Sequence, residues 1–122
     1  MDAQELQDRT KEFALRVMRL VDALPTKRSA NAVANQVVRS ATSVGANYRA
    51  ACRARSTAEF AAKLSIVVEE ADETVYWLEL IAAANLVNSA RICALLDEAR
   101  ELLFIFASSR RTVRKNQQIT KS

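Results

Sequence analysis

Residues 36–60 read QVVRSATSVGANYRAACRARSTAEF, and the way this stretch is punctuated decides the fold. Val37, Ala41, Val44, Tyr48 and Ala51 recur in steps of four and three, the spacing of one face of an α-helix. Gly45 is the one weak helix former among them, at a cost of about 1 kcal/mol relative to Ala. Arg55-Ser56-Thr57 then breaks the period. Ser56 or Thr57 suits an N-cap, Glu59 stands where a carboxylate favours a helix N-terminus, and Phe60 opens a new apolar seam. Two helices with a connection of a few residues make a hairpin.

The same alternation extends outward on both sides. Ala30 and Ala34 carry the second seam back toward its start, and an earlier one runs through Leu6, Thr10, Phe13, Val17, Leu20 and Leu24. Leu24-Pro25-Thr26 ends that first helix, because a residue before proline is pushed out of the α region. The third seam continues as Leu64, Val67, Ala71, Val75, Leu78 and Ala82, and the chain turns around Asn85-Leu86-Val87-Asn88. Asn tolerates the left-handed conformation, and Asn88 or Ser89 can cap the next helix. Its seam is Ile92, Leu95, Leu96, Ala99, Leu102, Leu103 and Phe106. Four amphipathic helices on short connections predict an all-α, antiparallel up-down-up-down four-helix bundle over residues 1–109. The apolar signal fades after Ser109, so residues 110–122 are expected to be a basic tail, a frayed helix end followed by disorder.

Composition agrees with one helical domain. The chain has 122 residues, half of them apolar, with one Gly and one Pro, too few turn formers for a sheet protein. Its N-terminus is polar and no apolar run is long enough to span a bilayer, so a cytoplasmic protein without membrane contact is expected. There is no His. That removes the commonest general base and any Ser-His or Cys-His nucleophilic pair. Cys52 and Cys93 stand apart from each other, so they are read as reduced packing residues, and no metal or cofactor is expected.

Charge is sorted by helix. Residues 27–56 carry six basic groups and no acidic one, whereas residues 57–85 carry one Lys against six acids. The acids concentrate in Val68-Glu69-Glu70-Ala71-Asp72-Glu73. Glu69, Glu70 and Glu73 lie within about a 100° arc of a helix. Such a run holds magnesium in some all-α nucleotide pyrophosphatases, and Glu98 and Glu101 are the candidate second pair here, although that pattern has ExxD where this chain has ExxE. A cationic helix next to it in a hairpin supplies partners without any metal, and Arg39 is the expected partner of Glu70 or Glu73.

Three further groups of residues stand out. Gln36, Ser40, Ser43 and Asn47, with Arg39 further round, form a polar strip beside the second seam. Arg49, Arg53 and Arg55 close the second helix, and Arg110, Arg111, Arg114 and Lys115 close the fourth. Alternate helices of such a bundle point the same way, so both clusters fall at one end, a positive field suited to a phosphate backbone. Ile66, Tyr76, Trp77, Phe104 and Ile105 sit off the seams and are expected to be partly exposed on a lone protomer, as at an oligomer interface.

Leu24-Pro25, residues 36–47, Ser56-Thr57-Ala58-Glu59-Phe60 and the acidic helix after them resemble bacterial four-helix-bundle proteins encoded in 23S ribosomal RNA intervening sequences. The resemblance covers residues 5–110. The family pattern is Q-x-x-R-(A/S)-x-x-S-(I/V)-x-x-N-I-A-E-G, which Gln36, Arg39, Ser43 and Asn47 match. Tyr48-Arg49-Ala50-Ala51 departs from it at the last four positions. The resemblance implies a homopentameric barrel without catalytic residues. A relative, the accessory variability determinant of diversity-generating retroelements, implies a basic assembly that engages nucleic acid and a reverse transcriptase. The expected function is therefore a non-enzymatic oligomer that binds RNA or DNA backbone. The rival expectations are a protein-interaction scaffold without nucleic acid and the magnesium-dependent pyrophosphatase.

Overall fold

In the computed structural model, which describes residues 1–121, the chain forms four helices: α1 (Ala3–Asp22), α2 (Arg28–Cys52), α3 (Thr57–Ala83) and α4 (Ser89–Lys121). Each packs against its neighbours in sequence, and α4 closes back on α1. This is the antiparallel bundle, with α1 and α3 on opposite sides of it. The starts of α1 and α3 and the ends of α2 and α4 share one end, called here the lower end.

Local chemistry explains the boundaries. Asp2 caps α1, its carboxylate accepting the Glu5 N–H at 2.8 Å. Ser56 caps α3 by accepting from Glu59 N–H at 3.1 Å, while the Glu59 carboxylate accepts the Arg55 N–H at 3.1 Å. At the end of α3, Asn85 takes φ 53° and Leu86 N–H donates to the Ile81 carbonyl at 3.3 Å. That is a Schellman closure with Asn in the left-handed position. Asn88 then accepts the Ala90 N–H at 2.9 Å to start α4.

The core follows the predicted seams, with Phe13, Leu20, Leu64, Leu78, Ile92, Leu102 and Phe106 among the fully buried side chains. Three features differ from the sequence expectation. Helix α4 does not stop near Ser109 but continues through Lys121. Val113 stands two turns beyond Phe106 on the same face and packs against the core, so the seam outlasts the fading hydropathy. Ser122 lies outside the described residues. Cys52 and Cys93 are both exposed rather than packed, each lying off its helix's buried stripe. Ser40, taken as part of the polar strip, is fully buried together with Thr74.

Those two hydroxyls meet between α2 and α3 at 2.9 Å. Each also reaches a carbonyl of its own helix, Ser40 to Val37 at 3.3 Å and Thr74 to Glu70 at 2.7 Å. The pair is thereby satisfied without water, as burial requires. Between α1 and α2, Gly45 faces Thr10: a Cβ at Gly45 would stand 3.2 Å from Thr10 Oγ1, so the missing side chain sets how closely the helices approach. Thr74→Val keeps the shape but removes the hydroxyl, and it should cost about 1 kcal/mol in urea unfolding. Gly45→Leu should push α1 off α2 and cost about 1–3 kcal/mol by the same measurement.

Candidate nucleic-acid interface

The polar strip resolves into separate roles. Arg39 is the ion partner of the acidic run. Its Nη1 lies 3.1 Å from Glu70 Oε2, its Nη2 pairs with Glu73 Oε1, and Trp77 Nε1 donates to that same Glu73 oxygen at 3.2 Å. The Arg39 guanidinium, helped by the indole, holds the Glu73 carboxyl below its ordinary value. Asn47 donates to the Ser43 carbonyl at 2.9 Å within α2, and Gln36 is exposed.

The second acidic pair faces elsewhere. Arg9 of α1 makes a forked contact with Glu98, Nη2 to Oε1 at 2.6 Å and Nε to Oε2 at 2.8 Å, and reaches Glu101 at 3.1 Å. Glu98 in turn raises the pKa of Arg9 above its ordinary value. Glu70 and Glu73 thus look toward α2 while Glu98 and Glu101 look toward α1, each pair engaged by an arginine. The convergence that a shared magnesium site needs does not occur. Among the described residues no group of three His, Cys, Asp or Glu side chains is placed to hold a metal ion.

The Arg39 clamp has an electrostatic consequence. It pairs position 39 with 70–73 and position 40 with 74, so antiparallel register brings residues 57–65 alongside Arg49 and Arg53. That segment carries only Glu59 and Lys63. Arg49, Arg53 and Arg55 are exposed, and none lies within 4 Å of a carboxylate among the described residues. Arg49, Arg53, Arg55 and Lys63 share one cavity between α2 and α3. On its other side, Arg49 and Arg53 line a groove against α1 together with Lys11. Sequence reasoning missed Lys11 and Lys63, because neither belongs to a run of cations: Lys11 stands between acidic residues in a segment of mixed charge, and Lys63 is the one cation of residues 57–85.

The cluster on α4 comes to the same end. Val113 and Asn116 face Arg55 and Phe60 across a third cavity. Arg111, Arg114 and Lys115 are exposed, Arg110 is half-buried, and Arg111 donates to Ser108 Oγ at 3.1 Å. Tyr48 joins the two helices from inside, its ring tilted against Phe106 at a centroid distance of 5.1 Å. Burial pushes its hydroxyl well above the ordinary tyrosine value.

Large apolar side chains are exposed on three of the helices. On α3 and α4 these are Ile66, Tyr76, Leu80, Phe104 and Ile119, with Phe104 67% exposed and Tyr76 54%. Trp77 and Ile105, expected with them, are half-buried against the core. On α1 they are Leu15 and Met18.

With this geometry in view, comparison with known proteins places the molecule among four-helix proteins of ribosomal RNA intervening sequences. The family model described as 23S rRNA-intervening sequence protein matches residues 3–108, and the chain belongs to that family. It is also similar to a protein of unknown function from the S23 ribosomal protein family of Bacteroides thetaiotaomicron, whose crystal structure is known at 1.70 Å. Identity is 32%, the TM-score is 0.82, and the match covers 91% of this chain and 99% of the other. No curated protein matches the chain. No helix among the described residues is long and apolar enough to cross a membrane.

The lowered Glu73 carboxyl gives a pH dependence of definite sign. The Arg39–Glu73 contribution to stability is present above the ordinary value of 4.5 and is lost as pH falls through the lower folded value. Urea unfolding of wild type and Arg39→Ala should therefore differ at neutral pH and converge in acid. A gap that stays constant from pH 7 to pH 3 would contradict this.

Proposed function

We propose that the protein is a non-enzymatic, ring-forming four-helix bundle whose lower end binds the backbone of RNA or DNA. The observation that carries this reading is the gathering there of cations with no carboxylate within 4 Å among the described residues: Arg49, Arg53, Arg55, Arg114 and Lys115, joined by Lys11 and Lys63. Arg9, Arg19, Arg39 and Arg100 each have a carboxylate within 3.5 Å. Arg16, Lys27, Arg28 and Arg91, toward the opposite end, have none either, so the lower end is distinguished by the number of such cations and their spread over all four helices. Such a surface attracts polyanions and releases their counterions on binding.

Ring formation is supported by the two apolar faces. Because α1 and α3 lie on opposite sides of the bundle, an α1 face that meets an α3–α4 face makes a head-to-tail contact, and such a contact generates a ring when its rotation closes. Repetition around a ring would multiply the field of the basic end. A reverse transcriptase as protein partner is carried only by the resemblance to the retroelement accessory protein.

Two measurements test the reading. Fluorescence polarisation with a labelled oligonucleotide should show affinity falling steeply with salt. Arg49→Ala/Arg53→Ala should flatten the log–log slope by about 1.4 on a single strand, if each arginine meets one phosphate. Absence of binding at low salt would favour a protein-interaction scaffold. Light scattering should give a mass of about five times the 13.5 kDa of one chain. A monomer would remove the ring.

A further inference from the structure

We infer that the groove between α1 and α2 receives a single unpaired nucleotide, giving the basic end a preference for single-stranded over duplex nucleic acid. The inference rests on the backbone-binding reading above and adds to it a pocket and a ligand class.

The groove has a volume of about 420 Å³, within the range of about 300–1,000 Å³ usual for small-ligand sites. Its lining includes three small residues, Ala14 of α1 and Gly45 and Ala46 of α2, which leave room for a planar base. The walls differ in chemistry. Arg49 and Arg53, one turn apart on α2, stand on one side, and Gln7 and Lys11 of α1 stand on the other. Asp8 also lines the groove, its carboxylate accepting the Gln4 amide at 3.0 Å, so three cations face one carboxylate.

Arg49 and Arg53 belong to both this groove and the cavity shared with Arg55 and Lys63. A strand whose phosphates follow these arginines therefore passes the mouth of the groove, and Gln7 offers an amide donor and an acceptor to a base edge. Only an unstacked base can turn in. Bases of a duplex are paired and stacked inside the helix, so a duplex meets the arginines with its phosphates but leaves the groove unfilled.

The test uses the full chain with a labelled uridine 12-mer and a duplex of the same length, measured by anisotropy at low salt. The single strand should bind about tenfold more tightly, the scale of one or two added hydrogen bonds. Ala14→Trp, on the α1 side of the groove and outside the cavity shared by Arg55 and Lys63, fills the groove and should bring single-strand affinity down to the duplex value, with duplex affinity unchanged. Gln7→Ala should weaken the single strand alone, several-fold. Equal affinities for both ligands, or an Ala14→Trp variant that weakens both alike, would overturn the groove and leave the basic-end reading standing. Absence of binding to either ligand would overturn both.

Discussion

The register between α2 and α3 is the constraint on which the rest depends. It is set by a buried contact, Ser40 with Thr74 at 2.9 Å, and by Arg39 reaching Glu70 and Glu73 beside it. Surface ion pairs add little to stability. Their weight here lies in alignment: shifting α3 by one helical turn would take Thr74 away from Ser40 and move Glu70 and Glu73 past Arg39. With the register fixed, Glu70 and Glu73 of the acidic run are engaged in the middle of the bundle. On the α3 side the cations at the end of α2 meet only its first turns, where Glu59 is already turned to the Arg55 backbone N–H, and on the α1 side Asp8 lines the groove with them.

Charge in this chain is thus sorted twice. Sequence order separates it by helix, and antiparallel packing then separates it by level. Arg9 performs at the α1–α4 seam what Arg39 performs at α2–α3, engaging Glu98 and Glu101. Glu70, Glu73, Glu98 and Glu101 are held by these two arginines, away from the cluster at the end of α2. The same two clamps keep the acidic pairs apart, which is why a string that resembles a magnesium motif on one helix has no second half across the bundle.

Much of the fold was legible because alternation by four and three needs only local sequence. Asn85 at the turn, the Ser56 cap and the Arg39 contact could each be read from residue type and position. Features that depend on which helix faces which were not legible. Ser40 reads as polar until Thr74 is opposite it, and Lys11 and Lys63 read as isolated charges until α1 and α3 flank Arg49. The length of α4 was missed for another reason: one apolar residue, Val113, continues the seam through a segment otherwise rich in Arg and Lys. Of the candidate site, the arginines were visible in sequence, whereas the groove they border exists only once α1 lies beside α2.

Amide hydrogen exchange of the full chain with and without a short single-stranded RNA tests the central claim most directly, because it reports where binding occurs. The account expects slowed exchange at the lower end, in the last turns of α2, the first turns of α1 and α3, and α4 beyond Ser109. Protection confined to the opposite end, around Arg16 and Arg91, or spread evenly over the bundle, would contradict it.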